Sequence, residues 1–155
     1  MELYFLRHGI AEERSPDGTD GGRRLTAEGV EKLESSRAGL KRLKIELDLL
    51  LTSPLVRARQ TAEIAGRILG LEPQVAEALG PGCDAPRLLA LLAERPRAER
   101  VMVVGHEPDF SAMIGGLTGG SRVEMKKGGL ARVDLASPSS SDGTLVYLLP
   151  PRALR

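Results

Sequence analysis

Apolar residues along this chain fall into short runs separated by segments of helical spacing. Leu3-Tyr4-Phe5-Leu6 form a continuous apolar run that predicts a first strand over 2–6. Runs at 48–51 and 100–104 predict two more strands, and 74–76 a shorter one. Thr26 offers an N-cap, and Val30, Leu33, Leu40 and Leu43 recur near helical period, so one helix is predicted over 26–44. Ser53 and Pro54 supply an N-cap and a proline at the first helical position. That helix should run to Leu69, stop at Gly70, and bury a stripe of Ala58, Ala62, Ala65 and Leu69. Asp84 caps a helix that buries Leu88, Leu89, Leu91 and Leu92. Pro108 opens another, carrying Phe110, Met113, Ile114 and Leu117 to a stop at Gly119 or Gly120. Two last strands, 130–135 and 144–149, flank the serine-rich segment 137–143, which reads as a hairpin loop. Strands alternating with helices predict a three-layer α/β sandwich, its mostly parallel mixed sheet flanked by helices and ending in an antiparallel edge.

Composition narrows the function classes. At 155 residues with 41% apolar content, the chain is expected to be a single domain over 1–155 with a substantial core. A net charge of +1, no Trp, two Tyr and two Phe argue against nucleic acid as a partner and against an anionic membrane. The apolar stretch 3–6 is too short for a signal peptide or a membrane span, and the one cysteine, Cys83, cannot form an internal disulfide. A cytoplasmic protein is the expectation. Cys83, within Pro81-Gly82-Cys83-Asp84, reads as a loop bystander rather than a nucleophile.

Only two histidines are present, and each follows an apolar run at a strand exit: His8 in Leu6-Arg7-His8-Gly9 and His106 in Val104-Gly105-His106-Glu107. Ligands of open α/β sheets bind beyond the carboxyl ends of strands, where Ser53-Pro54-Leu55-Val56-Arg57 also falls. If those strands are parallel neighbours, Arg7, His8, Arg57 and His106 converge on one pocket. Guanidinium donates parallel hydrogen bonds to two phosphate oxygens and stays charged at any relevant pH. Two arginines around an imidazole therefore suggest a phosphoryl group held against a nucleophile. A neutral nitrogen of His8 could attack phosphorus, with Arg7 and Arg57 keeping the ring unprotonated and stabilising the equatorial oxygens. Gly9 would leave room for the substrate, and the helix starting at Pro54 would favour an anion. Ser53 reads first as a helix cap and second as a phosphate contact. Arg59, two positions past Arg57, should point to solvent, as should Glu12 and the pair Lys126-Lys127. The loop 9–24 carries no apolar period, and a loop that long beside a site is more often functional than idle.

The triplet Arg7-His8-Gly9, the segment Ser53-Pro54-Leu55-Val56-Arg57-Ala58-Arg59-Gln60-Thr61-Ala62 and Val104-Gly105-His106 resemble the histidine phosphatase, or phosphoglycerate mutase-like, superfamily. Small size and Arg24-Leu25-Thr26-Ala27-Glu28-Gly29 look most like the SixA group of phosphohistidine phosphatases. The resemblance implies a phosphoglycerate mutase-like fold, His8 as phosphoryl acceptor, Arg7, Arg57 and His106 as phosphate ligands, and no metal or organic cofactor. It also implies a phosphorylated substrate, with a histidine-phosphorylated protein as the first expectation. Members that cleave C–O–P esters use a carboxylic acid to protonate the leaving group. Glu77 is the candidate here, because Asp84 is better explained as a cap. Without such an acid, a phosphoramidate is favoured, since its imidazole leaves in neutral form. A phosphomonoesterase on small metabolites, a non-catalytic phosphate-binding module and a metal hydrolase are the alternatives.

Overall fold

A computed structural model describes residues 1–137 and 142–155. Six strands form one sheet: β1 (Glu2–Arg7), β2 (Leu49–Thr52), β3 (Gln74–Val75), β4 (Arg100–Gly105), β5 (Leu130–Asp134) and β6 (Thr144–Leu149), in the order β3-β2-β4-β1-β5-β6. The first four in that order run parallel, while β5 pairs antiparallel with β1 and β6 antiparallel with β5. The mixed sheet with an antiparallel edge is therefore as the apolar pattern predicts. Residues 138–141 of the expected hairpin loop lie outside the described residues.

Alternate residues of the strands feed two separate cores, which makes the three layers. Leu3, Phe5, Leu51, Val101 and Val103 face the helices α4 (Ala85–Ala93) and α5 (Asp109–Leu117). Tyr4, Leu6, Leu50, Met102 and Val104 face α1 (Ala27–Glu34), α2 (Arg37–Arg42) and α3 (Val56–Leu69). Ala58, Ala62 and Ala65 are buried against the sheet, with Leu69 partly buried at the end of the stripe, and Gly70 closes α3 in the left-handed conformation. Gly105 ends β4 where a side chain would strike the ring of Phe110, which packs edge-on against Phe5 at a centroid separation of 5.1 Å.

One predicted helix is two. The turn between α1 and α2 falls at Ser35 and Ser36, whose hydroxyls donate to the carbonyls of Lys32 and Leu33 at 2.6 Å. Such local bonds compete with the helical ladder, and the change of direction lets α2 slide under the C-terminal turn Pro151–Leu154, close enough that a side chain at Gly39 would meet the Leu154 carbonyl. Val30 is consequently not a core residue; it is 37% exposed, whereas Leu33 and Leu40 are buried. Thr26 does cap α1, its hydroxyl accepting from the Gly29 amide at 2.9 Å, and Asp84 caps α4 through the Arg87 amide at 3.0 Å. No helix among the described residues is long and apolar enough to cross a membrane.

Candidate active site

Strand register brings the site together. Arg7 pairs with Gly105 across β1 and β4, and Thr52 pairs with Val104 across β2 and β4. Three adjacent parallel strands therefore release the chain at one level, through His8, Ser53 and His106. The His8 and His106 rings lie 5.4 Å apart by centroid, both buried. Arg57, in the first turn of α3 and also buried, places its Nε 3.4 Å from His8 Nε2. Arg7 leans to one side, donating from Nη1 to the Met125 carbonyl at 2.7 Å.

Hydrogen bonding assigns the tautomer of each imidazole. His8 Nδ1 lies 2.7 Å from the Gly9 carbonyl, which can only accept, so Nδ1 carries the proton. Nε2 then presents its lone pair to Arg57, accepting from Nε over a long 3.4 Å. His106 Nε2 lies 2.7 Å from the Ser53 hydroxyl, whose oxygen already accepts from the Leu55 amide at 3.2 Å. The hydroxyl proton is best used toward His106 Nε2, which leaves the proton of a neutral His106 on Nδ1. That Nδ1 and Arg7 Nε are the buried side-chain nitrogens or oxygens without a hydrogen-bond partner among the described residues. Both lie in this site, where an anion would satisfy such groups.

Both imidazoles are held neutral. Burial is the main cause for His8, reinforced by the charges of Arg57, His106 and Arg7 against the opposing pull of the Gly9 carbonyl, and it drops to about 3. Desolvation thus outranks the arginine charges to which the sequence argument assigned this effect. His106 falls to about 4, again mainly through burial, with Arg57 next. The unfolded chain takes up protons below the ordinary histidine value of about 6.5, whereas the native rings refuse them until near the depressed values. Stability is therefore expected to fall as pH drops from about 6.5 toward 4, and the urea midpoint to be lower at pH 5 than at pH 7. His8→Asn should flatten that dependence; an equally steep profile in the variant would assign the effect elsewhere.

Several expectations need correction. Ser53 does not cap α3: Leu55 occupies the cap position, the helix begins at Val56 rather than at Pro54, and the Ser53 hydroxyl is engaged by His106. Gly9 is not required for substrate access, because a side chain there would strike Leu33 on the core side. Its amide donates to Thr61 Oγ1 at 3.1 Å, and Thr61 donates to the Arg57 carbonyl at 2.8 Å. Thr61 therefore ties the β1 exit to α3 and fixes His8 relative to Arg57. Its position one turn after Arg57 was the signal available in the sequence.

Asp20 was also missed. Its backbone carbonyl accepts from Arg57 Nη1 at 2.9 Å, and its carboxylate accepts from Nη2 at 3.2 Å and from Arg23 Nε at 3.0 Å. Arg57 and Arg23 together outweigh burial and lower its pKa. The loop 9–24 thus orients Arg57, and nothing in its composition singles out Asp20. Glu77 sits exposed in the turn Glu77–Leu79 after β3, without a hydrogen bond to His8, Arg57 or His106. Arg59, Lys126 and Lys127 are exposed, as their spacing suggests, whereas Glu12 is half-buried and lies 3.7 Å from Arg24 Nε. Cys83 is buried in the core, and burial raises its pKa. Among the described residues no group of three or more His, Cys, Asp or Glu side chains is arranged to hold a metal ion.

Fold and site together define an α/β protein with guanidinium and imidazole side chains gathered around a neutral His8 ring at the sheet's carboxyl edge. The chain belongs to the histidine phosphatase superfamily: the model of its branch 1 matches residues 3–80. It is 30% identical to the phosphohistidine phosphatase SixA of Escherichia coli (strain K12) over 163 aligned positions, covering 100% of this chain and 97% of that protein. An uncharacterized protein of Picosynechococcus sp. is 41% identical over 137 residues, covering 84% of this chain and 82% of the other. The solved structure of the protein histidine phosphatase SixA complexed with tungstate superposes with a TM-score of 0.88 at 29% identity, over 100% of both chains. The fold is phosphoglycerate mutase-like, and the protein is a phosphatase.

Proposed function

We propose that the protein hydrolyses phosphohistidine in a protein substrate through a covalent phosphohistidine on His8. The observation that carries this reading is the pairing of His8 Nδ1 with the Gly9 carbonyl while Arg57 Nε approaches Nε2 at 3.4 Å. Nε2 attacks phosphorus as the bond from phosphorus to the substrate nitrogen breaks, and the substrate imidazole departs neutral when its other nitrogen is protonated. Arg7, Arg57 and His106 bind the equatorial oxygens, where negative charge must be held through a loose transition state. Water then attacks the phosphoryl group. The P–Nε2 bond breaks, His8 departs as the neutral Nδ1–H tautomer already stabilised by Gly9, and the water's second proton leaves with inorganic phosphate.

Leaving-group chemistry supports a phosphoramidate over an alkyl ester. Expelling an alkoxide calls for a carboxylic acid at the scissile oxygen. The carboxylate nearest Arg57 is Asp20, which is engaged by two guanidiniums and held ionised. Glu77 as acid belongs to the competing reading, a phosphomonoesterase of small metabolites. The similarity to the phosphohistidine phosphatase SixA of Escherichia coli supports the phosphohistidine substrate, and the likeness to the protein histidine phosphatase SixA supports a protein as the molecule that carries it. The test is kcat/KM on a histidine-phosphorylated protein against a panel of sugar phosphates. Faster turnover of any sugar phosphate would overturn the preferred substrate. Glu77→Gln should leave phosphohistidine turnover unchanged, and a selective loss on esters would place the acid there.

A further inference from the structure

We infer that a basic groove beside Arg7 is a docking surface for an acidic segment of the protein substrate, an inference that rests on the phosphohistidine-protein reading above. The groove has a volume of about 580 Å³, within the range of roughly 300–1,000 Å³ typical of binding clefts. Its cations are Arg7, Lys32, Lys126, Lys127, Arg152 and Arg155, and its one acidic side chain is Glu124. Six cationic side chains against one carboxylate is a local concentration in a chain whose net charge is only +1. Glu124 is bound to Lys126 at 2.8 Å, and Lys32 is bound to Glu28 at 2.9 Å. Lys127, Arg152 and Arg155 have no carboxylate partner among the described residues.

The groove adjoins the phosphoryl site through Arg7, which lines it and immediately precedes His8. Its near wall is the segment that accepts Arg7 Nη1 at the Met125 carbonyl and returns the Gly128 amide to the carbonyls of Arg7 and His8, each at 3.1 Å. Its far wall is the C-terminal turn, where Pro151 lies against Gly128. Because Arg7 leads directly into His8, a segment lying in the groove would bring its phosphorylated side chain to the phosphoryl site. Ile10, Pro150 and Pro151 give the groove an apolar floor without an aromatic ring. Single-stranded nucleic acid is bound by stacking its bases on aromatic side chains, which this floor lacks, whereas a peptide with carboxylates and aliphatic groups fits both rim and floor. Charge placed this way raises the encounter rate and discriminates among partners more than it tightens the final complex.

The experiment uses two peptides, each with one phosphohistidine, flanked by four glutamates in one and four lysines in the other. In His8→Ala protein, which cannot turn the peptide over, fluorescence anisotropy at low salt should show about tenfold tighter binding of the glutamate peptide. Adding Lys127→Glu and Arg152→Glu should abolish or invert that preference, with Lys127→Gln and Arg152→Gln as a milder pair should the reversal impair folding. In protein with His8 intact, the same pairs should lower kcat/KM on the glutamate peptide and leave turnover of phosphoramidate unchanged. Equal binding of the two peptides, or a preference that survives both pairs, overturns the groove. So does tighter binding of a uridylate oligonucleotide that is lost in the same variants, which would assign the groove to nucleic acid. Loss of the phosphatase reading looks different: neither peptide is hydrolysed, yet the binding preference remains.

Discussion

Replacing His8 with alanine is expected to lower phosphate release from an activated aryl phosphate by about 10⁴- to 10⁶-fold, the scale seen when a covalent nucleophile or its partner is removed. His8 differs from His106 in what its ring has available. Its Nδ1 is committed to a carbonyl and its Nε2 lone pair points toward a guanidinium, whereas His106 has its Nε2 engaged by Ser53. The pair on His8 Nε2 accepts only a long 3.4 Å bond from Arg57 Nε, against 2.7 Å between His106 Nε2 and Ser53, so it is the pair that phosphorus can claim. The fold should survive, because His8 follows β1 and lies outside both apolar cores, and at pH 7 the native ring is neutral, so no charge pair is broken. Rapid quenching with a ³²P-labelled substrate should trap an acid-labile, base-stable adduct on the N-terminal peptide. His106→Ala should slow turnover but still permit that adduct. An adduct on a different residue, or near-normal rates from His8→Ala, would remove the nucleophile from this account.

The parts of the site that depend on strand exits were legible in the sequence. Apolar runs ending in Arg7-His8-Gly9 and Gly105-His106 located both imidazoles, and a helix beginning near Arg57 located the guanidinium. What periodicity could not supply was pairing order. That β4 lies between β1 and β2, in a register that levels His8 with His106 and Ser53, is a property of the assembled sheet. Side-chain competition with the backbone was equally invisible: Ser35 and Ser36 sit within an acceptable helical pattern, yet their hydroxyls bond back to Lys32 and Leu33 and the chain turns. Ser53 shows the same ambiguity in reverse. A serine before a proline is a sound cap by local rules, but its hydroxyl meets a histidine brought from β4, a contact between residues 53 positions apart. Asp20 lies in a loop with no pattern at all, and its role follows from tertiary placement alone.

Arg57→Ala is expected to reduce kcat and kcat/KM together by about 10²- to 10³-fold, or ~2.7–4 kcal/mol, by analogy with removing one preorganised donor to a developing charge. The parallel fall follows from how the fold itself holds Arg57. It is already seated, with Nη1 and Nη2 on Asp20 and Nε toward His8, so its cost of positioning falls on folding rather than on the reaction. Its charge is buried beside a carboxylate whose side chain is 65% exposed, so truncation removes a poorly compensated charge from the interior. Thermal stability should therefore hold or rise while activity collapses, an outcome opposite to that for a residue whose part is structural. Arg57→Lys distinguishes charge from geometry: an ammonium restores the positive charge but has neither the planar fork nor a donor at Nε. Recovery of less than a tenth of the lost rate would show that orientation of the guanidinium carries the effect. Full recovery would show that a point charge suffices, and the Asp20 contacts would then lose their role in aiming Arg57.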